Sequence, residues 1–274
     1  RRQHPMIKDL IRATTLGAVV APSAAAQAAP AAPAADFRWE KALAAGSLVR
    51  LHNINGDITV TAGTGDRVEI VGVKRGNRRY FDNVTIEIVE ASDGVVACVM
   101  FEDADMECSE NGMRSRGRGD RDRDWDDVST HMQVRLPRGM RLSAGSVSGD
   151  VTATGVEGDV RVSSVSGDVE ALRLKASSVR ATSVSGDVLV SIDTLRGDGS
   201  LHFTSVSGDV IAELPRNLNA DVSMRTVSGS LDTEFPITLN GRMRRSSLEA
   251  RIGQGGRELN VTTVSGDVTL RAKP

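Results

Sequence analysis

The 274-residue chain predicts an all-β fold: a β-solenoid, similar to a parallel β-helix, with a more irregular β-rich N-terminal part. Three observations lead there. A phrase of the form Ser/Thr-Val-Ser-Gly-Asp-Val recurs at steps of about 20 residues, the size of one solenoid coil. After each turn, apolar and polar residues alternate, the period of a half-buried strand. Aromatic residues make up 3% of the chain, and residues 141–274 hold only Phe203 and Phe235. A core there must be thin and built from Val, Leu, Ile and Ala.

Residues 1–28 read as a secretory signal peptide, with residues 1–5, before Met6, as a spurious extension. Lys8 and Arg12 precede a short apolar run at 13–21, and Ala26-Gln27-Ala28 offers small residues for cleavage. The run is short of the ~20 residues a spanning helix needs, and Pro22 interrupts it. No transmembrane segment is therefore expected after cleavage. Residues 29–45 read as an Ala/Pro linker and lead-in. Removal of 1–28 takes four basic and one acidic residue from totals of 34 and 36, changing the net charge from -2 to -5. Without a general cationic excess, nucleic acid is not an expected partner. The expected product is exported.

Residues 46–140 read as an N-terminal β region. In an oxidising compartment Cys98 and Cys108 are expected to pair, closing a short loop for a gain of about 2–3 kcal/mol by the chain-entropy model. No His stands nearby to make a metal site with them. The stretch 109–127 carries five Arg and six acidic residues with Gly and no apolar period, which describes a solvated loop. Its functional alternative is a recognition loop anchored by Trp125.

Residues 141–274 read as the solenoid proper. The turn pairs are Gly149-Asp150, Gly167-Asp168, Gly186-Asp187, Gly208-Asp209 and Gly266-Asp267, with Gly229-Ser230 as a variant. Gly56-Asp57 and Gly158-Asp159 are weaker cousins. Gly tolerates turn conformations, and Ser and Asp side chains bond nearby amides. The position after Gly advances by 18, 19, 22, 21 and 37 residues, the last step close to two units. Strands of four to six residues bury little alone, so stacking is required. An antiparallel sandwich with similar turns is the competing fold. The chain stops soon after the last turn, which places Lys273 and Pro274 as breakers of an open strand edge and gives self-association a basis.

These repeats resemble those of the bacterial β-strand-repeat domains called putative adhesins, also described as toast-rack-like. The segment Leu51-His52-Asn53-Ile54-Asn55-Gly56-Asp57-Ile58-Thr59-Val60 is similar to that family's opening strand pair. Val134-Arg135-Leu136-Pro137-Arg138-Gly139-Met140-Arg141-Leu142 is similar to the segment that leads into its repeats. The resemblance covers about residues 46–272, with the 109–127 insertion and the irregular stretch 232–262 as departures. It implies a non-enzymatic, exported or membrane-attached domain in the bacterial envelope. With the signal peptide it places the expected protein in the periplasm or at the surface of a bacterium, structural or binding in role, in envelope organisation or stress response.

No catalytic, cofactor-binding or metal residues are expected. His52, His131 and His202 lack a partner pattern for a nucleophile or zinc site. Arg118-Gly119-Asp120 and Arg196-Gly197-Asp198 spell an adhesion tripeptide, but three-letter matches arise by accident in this composition. A calcium-stabilised β-roll would need Gly-Gly-x-Gly-x-Asp nonapeptides, which are absent. A polysaccharide-active β-helix enzyme is the other alternative, and the lack of aromatic platforms argues against it. The expected partners are an envelope protein, a cell-surface component or a second copy of the chain.

Overall fold

The computed structural model describes residues 35–102, 106–115, 127–239, 244 and 246–273. The expected signal peptide, the linker up to residue 34, Trp125, Arg118-Gly119-Asp120 and Pro274 lie outside these residues.

The strands follow the period-two runs. The first part comprises β1 (Phe37–Ala42), β2 (Leu48–His52), β3 (Ile58–Ala62), β4 (Arg67–Gly76), β5 (Val84–Ala91) and β6 (Gly94–Phe101). The hairpin β7 (Met106–Ser109) and β8 (Gly112–Ser115) follows, then β9 (Val128–Leu136). The repeats supply β10 (Arg141–Ser148), β11 (Val151–Thr154), β12 (Val160–Ser166), β13 (Val169–Ala176), β14 (Val179–Ser185), β15 (Val188–Leu195), β16 (Leu201–Thr204) and β17 (Val210–Pro215). The last are β18 (Ala220–Arg225), β19 (Leu231–Thr233), β20 (Ile237–Leu239), β21 (Ser247–Ile252), β22 (Arg257–Thr262) and β23 (Val268–Lys273).

Two large sheets result. One runs β1-β4-β9-β3-β11-β13-β15-β17-β23-β19, the other β20-β21-β18-β22-β16-β14-β12-β10-β2-β6-β5. Each rung lays one strand in each sheet, and successive rungs stack in parallel: Val151 pairs with Val169, Val169 with Val188, and Val188 with Val210. The solenoid-like, all-β architecture read from the repeats is therefore the observed one. Both sheets continue through residue 140, since β10 pairs with β2 and β11 with β3.

The core lies between the sheets and uses alternate residues of every strand. Val160 and Val162 point inward while Arg161 points out, and the pattern repeats at Val179, Arg180 and Ala181. Phe203 is fully buried and stands between Ala181 and Val261 on the neighbouring strands. One ring fits because a methyl group faces it, which is why this core admits so few aromatics.

The final repeat differs from its expected place. β22 and β23 do not end the stack; they insert between β16/β17 and β18/β19. The terminal rung is thus the Gly229-Ser230 variant, and the 37-residue step records this insertion rather than a missing coil. Lys273 consequently lies on an inner strand, opposite Pro215, with its ammonium on Ser191 Oγ (2.9 Å) and Asp193 Oδ1 (2.5 Å). It breaks no edge. Strands that are antiparallel to their neighbours close both ends: β1 on β4, β4 on β9, β5 on β6, and β20 and β21 beyond β18. The outermost β19 and β20 are three residues each, a common way to blunt a sheet edge.

Candidate functional site

Two features recur on every rung: the corner where the chain passes between sheets, and the outer face of the second sheet beside it. The corner is built by the repeated phrase. Each Asp carboxylate accepts the Asp N–H of the next rung, from Asp57 Oδ1 to Asp150 N (3.0 Å), then to Asp168, Asp187, Asp209 and Asp267 (each 2.8 Å). Asp267 Oδ1 receives both N–H and Oγ–H of Ser230 at 2.7 and 2.9 Å. Ser replaces Asp only there, where no further rung needs an acceptor. These bonds hold the Asp267 carboxyl below its ordinary value of 3.8, the Ser230 amide being the largest cause.

Behind this ladder runs a second one. Ser146, Ser164, Ser183, Ser205, Thr263 and Thr226 are buried, and each hydroxyl donates to the Gly carbonyl of the adjacent rung at 2.8–3.0 Å. At the first rung Asn53 takes this role, donating to the carbonyls of Gly56 and Thr130 at 2.7 Å each. The glycines let the rungs touch: a Cβ on Gly208 would lie 2.3 Å from the Gly186 oxygen. Gly158-Asp159 belongs to the opposite corner, where Asp159 Oδ1 accepts Ser178 N–H (3.0 Å). Two corners per rung account for the nine-residue half-steps. One oxygen of each ladder Asp is thus committed to an amide, and among the described residues no three His, Cys, Asp or Glu side chains converge as metal ligands.

On the outer face, the parallel register aligns like residues into lanes along the stack. Val147, Val165, Val184, Val206 and Val264 are 41–45% exposed and Val227 76%. Beside them run Ser163, Thr182, Thr204 and Thr262, and next to these Arg161, Arg180, His202 and Asn260. A shallow groove of about 460 Å³ lies over the third lane and is lined by Arg50, Arg141, Arg161, Arg180 and His202, with hydroxyls of Ser143, Ser178 and Ser200. Composition concealed this basic strip, because the chain's net charge is near zero. The cue was present as Arg-[Val/Ala]-[Ser/Thr]-Ser-Val at 161 and 180.

Other groups serve the fold. Arg257 is 6% exposed and donates to the carbonyls of Ser177 (2.6 Å) and Arg196 (3.2 Å) and to those of Gly197 and Gly199. Burial lowers its pKa, and Asp198 opposes this. Arg196-Gly197-Asp198 is therefore a structural turn, with Arg196 also 3.7 Å from Glu157. Cys98 and Cys108 form a disulfide with Cα atoms 5.9 Å apart, tying β6 to the β7–β8 hairpin. His52 lies beneath that hairpin; burial and then Arg50 lower its pKa.

One grouping escaped the sequence reading. Ser129 Oγ lies 3.3 Å from His131 Nε2, and His131 Nδ1 lies 3.1 Å from Asp57 Oδ2. The order matches a Ser-His-Asp triad, but an acyl-transfer site also needs free N–H donors for an oxyanion. Here the N–H groups of Thr130 and Met132 are taken by the carbonyls of Asn55 (2.8 Å) and Asp57 (2.9 Å). His131 instead occupies, on β9 just before the first rung, the place that an Asp holds in the rungs above, its Nδ1 3.5 Å from the Asp57 amide nitrogen.

A family model described as Toastrack DUF4097 matches residues 49–271. No curated protein matches the chain. Among solved structures, a "putative cell adhesion protein" from Clostridium sporogenes is 10% identical with a TM-score of 0.51, covering 86% of this chain and 99% of that one. A "putative adhesin" from Bacteroides fragilis is 11% identical with a TM-score of 0.38, covering 86% and 96%. At such identity the first of these likenesses concerns the fold.

Proposed function

We propose, from the premise that this chain belongs to the Toastrack DUF4097 family, that it is an exported, non-catalytic binding module of the bacterial envelope. The carrying observation is the laned outer face of the second sheet. Soluble proteins scatter exposed apolar residues singly, whereas here six valines align beside hydroxyl and cationic lanes on a rigid stack. A regular array of this kind suits adhesion-like display to a cell-surface component, serving envelope organisation or the response to envelope stress. The Cys98–Cys108 disulfide supports export, because such bonds persist in oxidising compartments.

Cell fractionation combined with crosslinking and pull-down from intact cells tests the reading. The expected product is periplasmic or surface-exposed, and its partner is lost when Val165, Val184 and Val206 are changed to Ser. Full-length protein in the cytosol refutes export; an undiminished partner refutes the face. Polysaccharide turnover abolished by one acidic substitution would defeat the non-catalytic reading. A melting temperature unmoved by a chelator separates it from a calcium-stabilised β-roll.

A further inference from the structure

We infer that the arginine lane is a binding site for an acidic polysaccharide, laid along the stack across β10, β12, β14 and β16. This deepens the binding-module reading and rests on it for where the ligand is met. The argument begins with an electrostatic cost. Arg161 and Arg180 are directly opposite each other on adjacent parallel strands, which lie about 4.8 Å apart. Like charges in that position destabilise a sheet. Both are exposed, and neither has an ion pair or side-chain hydrogen bond among the described residues.

The arginines at the other end are handled differently. Arg50 makes two 2.8 Å bonds to Asp93, and Arg141 stands 3.8 Å from the same carboxylate. The Arg50 bond is the main cause of the lowered Asp93 pKa. Among the described residues Asp159 is the one acidic residue lining the groove, against four arginines. The strip therefore keeps a positive excess, and its two unpaired guanidinium forks are suited to carboxylate or sulfate groups.

The neighbouring lanes select among anions. Ser143 and Ser200 in the groove, and the Ser163–Thr182–Thr204–Thr262 lane beside it, offer hydroxyls along the stack for sugar hydroxyls, while the Ser178 hydroxyl donates to the Ser200 carbonyl (3.1 Å). The floor residues Leu142 and Val160 are 2% and 3% exposed, so no apolar crevice receives an acyl chain. The face lies away from the sheet edges, so it cannot add a peptide strand. A repeating anionic sugar chain matches both the rung repeat and the chemistry.

The test is titration of the purified full chain with polygalacturonate, with neutral dextran and phosphatidylglycerol vesicles as parallel arms. The expected result is polygalacturonate binding that weakens with salt, with no binding to dextran. R161A/R180A weakens it at least tenfold, R161K/R180K less so, and R216A, on an exposed loop, leaves it unchanged. Melting temperatures of the variants confirm folding, and wild-type salt dependence stands independently of them. Absence of binding, equal binding by R161A/R180A, or Arg-dependent vesicle binding in preference to polygalacturonate would each overturn the inference. Such a failure leaves localisation and crosslinking untouched, and a cytosolic location leaves the titration untouched.

Discussion

Replacing Gly186 with Ala probes the contact on which the stack depends. Gly186 has φ 151°, and an added Cβ would lie 2.3 Å from the Gly167 oxygen and 2.8 Å from Asp168 Oδ1. An L-residue forced to positive φ costs about 1–2 kcal/mol. The clash cannot be relieved by a flexible side chain, because the nearest atoms are backbone. Moving the rungs apart strains the Gly167 N–H bond to Ser185 O (3.0 Å) and the Asp187 N–H bond to Asp168 Oδ1 (2.8 Å), each worth about 1 kcal/mol. The expected loss is about 3–4 kcal/mol, large against a domain stability of about 5–15 kcal/mol. Gly139→Ala is the control: its φ is 77°, and nothing lies within 4 Å of the added Cβ. It carries the conformational cost alone. Urea unfolding of both variants, compared at unchanged m-value, reads the difference. Equal midpoints for the two would refute the claim that close approach between rungs, rather than φ, demands glycine.

Ser183→Ala removes the buried donor to Gly167 O (2.9 Å) and is expected to cost about 1–2 kcal/mol by denaturation; Ser183→Thr, as at positions 226 and 263, should retain most of it. Arg257→Met leaves four carbonyls without their donor and should destabilise by about 3 kcal/mol or more, with Arg257→Lys rescuing poorly in melting experiments because an ammonium lacks the planar fork. Reduction of Cys98–Cys108, ten residues apart, should cost about 2–3 kcal/mol by the chain-entropy model, read as a lower urea midpoint with reductant. Stability should fall on acidification in two stages. His52, held below its ordinary 6.5, favours the folded state fully above that pH and loses its contribution as pH falls towards its folded value. Glu157 is lowered from 4.5 chiefly by its bond to Lys175 and loses its contribution as pH falls below that range; His52→Asn should remove the upper stage and Glu157→Gln reduce the lower.

The corners were legible in the sequence because their residues are contiguous and recur. Gly186, Asp187 and Ser183 sit in one short phrase and each meets a residue of the preceding phrase, so repetition of the phrase exposes repetition of the corner. The outward arginines were not legible as a site. Arg161, Arg180 and His202 align only because steps of 19 and 22 residues both return the chain to the same register, the extra residues being absorbed between strands. Arg257 reaches carbonyls 58 to 80 residues earlier in the chain, a distance over which periodicity carries no information. The apposition of His131 to Asp57 likewise joins residues 74 apart.

The sequence by itself determined what a rung is: a short strand, a Ser-Gly-Asp corner and another short strand, with valine, leucine and alanine inward. Only the tertiary structure decided which rung lies on which. The phrases are nearly identical, so pairing any two gives similar hydrogen bonds and similar burial, and local chemistry cannot rank the orders. Connections and capping strands rank them instead. They place the last phrase between Gly208 and Gly229, leave Ser230 at the end where no acceptor is needed, and bring Arg161 and Arg180 side by side on one open face.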